Sequence, residues 1–163
     1  MTGTKRSADH ETRLVEEDHH SIKLWLRLLT CSSLIEKQLR GSLREEFNTT
    51  LPRFDFLAQL ERSVDGLTMG ELSNRMMVSG GNATGLATQL VKEGLIERNS
   101  PPNNRRTFVV TLTPKGKKHF AKLAARHEEW MVALLGKLSE NDVKSLMKLL
   151  SKVKAQVTES ADV

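Results

Sequence analysis

The residues best suited to do chemistry in this sequence are not arranged for bond-breaking. Ser79, Gly80, Gly81, Asn82, Thr84, Gly85, Thr88, Gln89 and Lys92 fall within fourteen positions, and Arg105 and Arg106 follow shortly after. Asn and Gln can pair bidentately with adenine, a Thr methyl packs on a thymine methyl, and Lys and Arg neutralise phosphate. No Arg lies in the first cluster to clamp guanine, so a site leaning towards A/T is expected. A Ser-Gly-Gly lead into a helix would let backbone N–H groups approach a phosphate closely. The other reading of the glycine pair is that it only shapes a turn. Enzymatic signatures do not occur: there is no GxSxG, no glycine-rich phosphate loop with its Lys, and no pair of carboxylates in an apolar setting. The five histidines are scattered without metal-ligand spacing, and neither a metal nor a cofactor is expected.

These groups need a scaffold, and the hydrophobic spacing supplies one. Over about 21–47, apolar residues recur at Leu24, Leu28, Cys31, Ile35, Leu39 and Leu43, one stripe of a long amphipathic helix. On that stripe Cys31 reads as a small buried hydrophobe. A second helix after Pro52 would bury Phe54, Leu57 and Leu60 and end near Asp65-Gly66. Thr68 followed by Glu71 is a capping box that opens a short third helix. The fourth spans about 80–93, with Ala83, Leu86, Ala87 and Leu90 inward and Gly94 as a left-handed stop. At 3.6 residues per turn its outward face carries Gly81, Gly85, Thr88, Gln89 and Lys92, with Asn82 and Thr84 on the flanks.

After Gly94 the period changes to that of strands. Leu95–Arg98 and Thr107–Leu112 flank a turn-rich segment that ends in Arg105-Arg106, which predicts a β-hairpin with a basic tip. Thr113 and Pro114 open a fifth helix through Phe120, Leu123, Trp130 and Leu134. Ser139 opens a sixth, with Val143, Leu146, Leu149, Leu150 and Val153 on its apolar side. Two short helices, a tight turn and a basic hairpin make a winged helix. A helix fits the major groove, and a narrow basic ribbon reaches the minor groove beside it.

Composition agrees with this reading. The 163 residues are 38% hydrophobic and 28% charged, and the net charge is +5. Between Glu97 and Glu128 no acidic residue occurs, while eight basic ones do. A single cysteine excludes an internal disulfide framework and fits a reducing, cytoplasmic setting. No run approaches the roughly 20 apolar residues of a membrane span, and the polar start lacks the apolar core of a secretory signal.

The order and spacing of these pieces resemble the MarR-type transcriptional regulators. The resemblance is carried by Leu67-Thr68-x-x-Glu71-Leu72, Gly85-Leu86, Leu90 to Arg98, Pro102-x-x-Arg105-Arg106 and Val110-Thr111-Leu112-Thr113-x-x-Gly116. It implies a mainly α fold with a small hairpin wing, flanked by long dimerisation helices. The corresponding division is a mobile arm over 1–18, a dimerisation region over 19–50 and 113–157, a winged helix over 51–112 and a frayed tail over 158–163. The resemblance further implies a homodimer that reads a pseudo-palindromic operator, usually as a repressor, and leaves it when a small ligand binds. Activation stays open. Where the family's wing commonly reads Asp-Arg-Arg, this chain has Asn104 before Arg105 and Arg106, which leaves open which Arg enters the minor groove; Arg105 is favoured. The stretch Met77 to Leu86 is also similar to a branch associated with aromatic-acid catabolism, some of whose members respond to an aryl-CoA thioester. Effectors of the family lodge between the dimerisation helices and the winged helix, where Trp25, Arg27, Arg53 and Phe54 are the candidates. Two other readings remain: a winged-helix protein-interaction module without specific DNA reading, and a thiol-based redox sensor acting through Cys31.

Overall fold

The computed structural model describes residues 8–100 and 108–161. Six α-helices and three short strands follow one another: α1 (His20–Phe47), α2 (Leu51–Glu61), β1 (Leu67–Thr68), α3 (Met69–Met76), α4 (Gly80–Lys92), β2 (Ile96–Asn99), β3 (Val109–Leu112), α5 (Pro114–Leu135) and α6 (Glu140–Ala161). The chain separates into two compact units that meet within α5, one up to Ala125 and the other from Arg126.

In the first unit, local chemistry sets the boundaries. Asn48 closes α1 in the left-handed region at φ 47°, a conformation Asn tolerates better than most residues. Pro52 sits in the first turn of α2, where its missing N–H leaves nothing unpaired. The second helix ends at Glu61, four residues before the expected Asp65. Arg62–Gly66 form the turn that brings the chain to β1. Thr68 and Glu71 cap α3 reciprocally: Glu71 N donates to Thr68 Oγ1 at 3.2 Å, and Thr68 N donates to Glu71 Oε2 at 2.8 Å. Gly94 leaves α4 at φ 70°.

The sheet has the order β1-β3-β2 and is antiparallel throughout. Ile96 faces Leu112 and Arg98 faces Val110 across the wing, while Leu67 faces Val110 on the other edge. The strand β1 was not expected: two residues carry no period of their own, and it exists because β3 offers an edge. Thr113 fastens the wing to α5, donating to Gly94 O at 2.7 Å and accepting from Gly116 N at 2.9 Å. A Cβ on Gly116 would lie 1.9 Å from Leu95 O, so only glycine permits this approach of helix and strand.

The core of this unit gathers Leu26, Leu43, Phe54, Phe56, Leu57, Leu60, Leu72, Ala83, Ala87, Leu90, Ile96, Val110, Phe120 and Leu123. Leu86, expected inward, is half-buried. The first helix departs most from expectation. Leu39 and Leu43, at the C-terminal end of its stripe, are buried. Towards the N-terminus the same stripe is uncovered: Leu24 is 50% exposed and Cys31 is exposed, which corrects the reading of Cys31 as a buried hydrophobe. Buried there instead are Leu26 and Thr30, on roughly the opposite side of the helix at 100° per residue. The reason is the segment before α1, part of the arm expected to be mobile, which forms a 3-10 turn at His10–Arg13. It contacts α1, and Glu11 pairs with Arg27.

In the second unit, Ser139 and Asp142 form a second reciprocal cap, with Asp142 N donating to Ser139 Oγ at 3.2 Å and Ser139 N to Asp142 Oδ2 at 3.2 Å. The helix it opens continues to Ala161, past the point at which fraying is expected. Its apolar residues recur as predicted, but Val143, Leu146, Leu149 and Leu150 are all exposed and Val153 is half-buried. Among the described residues no helix is long and apolar enough to cross a membrane.

Candidate nucleic-acid interface

The helix α4 stands at the end of the α3–α4 turn, and that turn is built under strain. Met77 adopts φ 54° and ψ 41°, left-handed values that few side chains other than Gly, Asn and Asp adopt. Ser79 then caps α4, accepting from Asn82 N at 3.3 Å. With Ala83, Ala87 and Leu90 held in the core, the opposite face is open: Gly80, Gly81, Asn82, Thr84, Gly85, Thr88, Gln89 and Lys92 are all exposed. Thr84 Oγ1 donates to Gly80 O at 2.9 Å and Thr88 Oγ1 to Thr84 O at 3.0 Å. The helix thus occupies both hydroxyl protons, which leaves the methyl groups as the distinctive outward chemistry of the two threonines.

The glycines on this face have no internal explanation. A Cβ added at Gly80, Gly81 or Gly85 would meet nothing within 4 Å. Gly85, in the helix interior, costs about 0.5–1 kcal/mol relative to Ala. Packing among the described residues does not explain it.

Of the sequence-chosen readers, Gln89 also has a partner within the chain. Its Oε1 accepts from Arg53 Nη1 at 3.4 Å. The wing strands project Arg98 and Glu97 outward, and Asn99 Nδ2 donates to Thr111 Oγ1 at 3.1 Å across them. The tip with Arg105 and Arg106 lies outside the described residues.

The four effector candidates are not brought together. Phe54 is buried, its ring 5.5 Å from that of Phe120, and belongs to the core. Trp25 is 55% exposed and Arg27 is paired with Glu11. Arg53 alone of the four lines a cleft, of about 500 Å³, together with Phe47, Asn48, Thr49, Thr50, Gln89, Glu93 and His119. There its guanidinium pairs with Glu93, and its Nε donates to Thr49 Oγ1 at 3.3 Å. The Arg53 bond holds the Glu93 carboxyl below the usual carboxylate range. Burial, then the charge of Arg53, pushes the His119 imidazole down. Sequence reasoning missed Glu93 and His119, which stand 40 and 66 positions from Arg53 and share no motif with it. Among the described residues no group of His, Cys, Asp and Glu could hold a metal ion.

Residues 49–108 match the model of the MarR family. That stretch is similar to the family's winged helix. Similarity to transcriptional regulators extends beyond that segment. The chain is 28% identical over 124 residues to the HTH-type transcriptional regulator YsmB of Bacillus subtilis, covering 74% of this chain and 84% of that one. It is 28% identical over 134 residues to the transcriptional activatory protein BadR of Rhodopseudomonas palustris, covering 80% and 76%. Its fold is that of a MarR family transcriptional regulator from Silicibacter pomeroyi, with a TM-score of 0.74 and 29% identity over 88% of this chain and 99% of that one. The fold recurs in AbsC of Streptomyces coelicolor, TM-score 0.77, at 21% identity over 89% and 99%. These relatives are transcriptional regulators and not enzymes, and the described residues share their winged helix-turn-helix fold.

Proposed function

We propose that two copies of this chain bind a pseudo-palindromic operator and leave it when a small ligand enters the Arg53 cleft. The open, acid-free face of α4 carries the reading: three glycines with empty space above them, flanked by Asn82, Thr84, Thr88 and Lys92. A DNA backbone or base edge fills that space and accounts for glycines that the protein's own packing does not use. Ser79 and the N–H groups after it face phosphate, Asn82 and the Thr methyls face base edges, and Arg105 with Arg106 hold the minor groove from the wing. Fold-level support comes from MepR of S. aureus, solved as a DNA complex, which shares the fold with a TM-score of 0.71 at 23% identity.

The homodimer rests on surfaces that one chain leaves uncovered. Helix α6 exposes Val143, Leu146 and Leu150 at steps of three and four and Val157 seven further on, and α1 exposes Leu24 and Cys31 on one stripe. Burying such side chains is worth roughly 1.5–3 kcal/mol each, and another copy of the same helices is the partner at hand. The division follows: residues 19–50 and 113–157 assemble the dimer, 51–112 read DNA, and 1–18 and 158–163 are appendages. Repression by occlusion is the simplest output, and the effector is a small carboxylic acid, aromatic in its natural form or as its CoA thioester. The interaction-module reading differs in predicting only salt-labile, non-specific retention of DNA.

A gel shift with DNA from upstream of the gene tests this reading. Specific retention that survives excess scrambled duplex is expected. Retention lost equally to any duplex and abolished by moderate salt would overturn it, because phosphate contacts alone are salt-labile.

A further inference from the structure

The described contacts of Arg53 are more than a lining. Its guanidinium reaches Gln89 of the recognition helix and Glu93, the C-cap residue of α4, four positions further on. Its Nε bonds Thr49 Oγ1 at the α1–α2 junction. The side chain is 16% exposed, whereas that of Glu93 is 46% exposed. A largely desolvated cation is therefore satisfied by a carboxylate that reaches in from the surface of another element. Around the pair lie groups suited to an acid from solution: the side chains of Asn48, Thr50 and His119, and the Phe47 ring.

We propose that Glu93 is a built-in stand-in for a ligand carboxylate, and that a small carboxylate opens a latch on α4 by taking Glu93's place on Arg53. The proposal rests on the reading of this cleft as the effector site and assigns the means by which that site is coupled to DNA. A guanidinium fork holds one carboxylate bidentately, and a second competes for the same two N–H directions. An incoming carboxylate keeps Arg53 neutralised while Glu93 swings to water, which it already half contacts. Gln89 loses its partner in the same step as the guanidinium turns to the ligand. The recognition helix then keeps its apolar anchors, Ala83, Ala87 and Leu90, but loses the polar strut that sets its pitch against α2. Coupling between effector and DNA is reciprocal, so DNA must weaken the carboxylate by the factor by which the carboxylate weakens DNA.

The test uses the full chain, a duplex selected by the wild type from a random pool, and sodium benzoate or inorganic phosphate at constant ionic strength. Calorimetry reads anion binding, fluorescence anisotropy reads DNA binding, and circular dichroism verifies folding of each variant. Glu93→Gln removes the competitor and should bind benzoate more tightly than the wild type, by up to about fivefold, the scale of a partly exposed ion pair. Without benzoate it should also bind the duplex more weakly than the wild type. Arg53→Gln should lose benzoate binding, and Arg53→Lys should recover part of it. Benzoate affinity and DNA affinity both unchanged in Glu93→Gln would overturn the latch. If benzoate still released DNA from both proteins in that case, the effector reading would survive without it. Phosphate bound in preference to benzoate would overturn the carboxylate assignment. Absence of benzoate binding in the wild type and in Glu93→Gln alike would overturn both.

Discussion

Residues on the face of α4 separate stability from function. Gly85 has φ and surroundings that accept a methyl group, so Gly85→Ala should raise stability by about 0.5–1 kcal/mol. The same methyl would stand where the account places DNA, and operator affinity should fall. Urea denaturation and anisotropy on one preparation check the two signs; a variant that is both more stable and equally tight would remove the glycine argument. Met77 makes the opposite kind of statement. A left-handed Met costs roughly 1 kcal/mol, and Met77→Gly should recover up to about that amount in a thermal melt, less what glycine's extra freedom in the unfolded chain takes back. In the wing, Arg105→Ala should weaken binding by roughly 1–3 kcal/mol if that residue enters the minor groove. An unchanged affinity would move the role to Arg106.

At the scale of elements, the polar seam between α2, α4 and α5 gives a pH dependence with a definite sign. Glu93 and His119 both release their protons more readily in the folded chain than their ordinary values of 4.5 and 6.5. In each case the unfolded chain binds more protons, so stability rises with pH through the window below that value. Glu93 contributes stability that is present above about 4.5 and lost as pH falls through its lower folded value. His119, facing Arg53, Lys115 and Lys122 as well as Glu93, destabilises the fold as pH drops below about 6.5, where the unfolded imidazole gains its proton. Denaturant midpoints from pH 4 to 8 should therefore climb in two stages. His119→Gln should shrink the upper stage, to which His127 also contributes, and Glu93→Gln the lower, to which Glu71 also contributes.

The elements also show what a sequence can disclose. The Thr68–Glu71 box, the Gly94 stop, and the Thr113 and Ser139 caps were legible because each is settled within four residues. The inward positions of α4 followed from its period. What was not legible depends on distant chain. Strand β1 exists only beside β3. Leu24 and Cys31 lie on a genuine apolar stripe that is exposed among the described residues, and the period of a helix cannot say which of its faces another element will reach. The Arg53–Glu93 pair joins residues forty positions apart, and the contact of Arg53 with Gln89 was not legible for the same reason. On the candidate site, residue types and the exposed face were foreseen, and the seam beneath it was not.

At the scale of the molecule, the uncovered stripes of α1 and α6 and the open face of α4 belong to one account, in which assembly sets two reading heads at a fixed spacing. Leu146→Asp with Leu150→Asp should leave a chain that sediments as a monomer and binds DNA far more weakly, since each head alone meets half a site. The most direct measurement is a hydroxyl-radical footprint on a duplex selected from a random pool, with the bound stoichiometry taken from the same complex. The account predicts two chains per duplex and two protected patches related by inverted sequence, about one helical turn, or ~34 Å, apart. A single patch bound by one chain, or uniform protection without an inverted repeat, would contradict it.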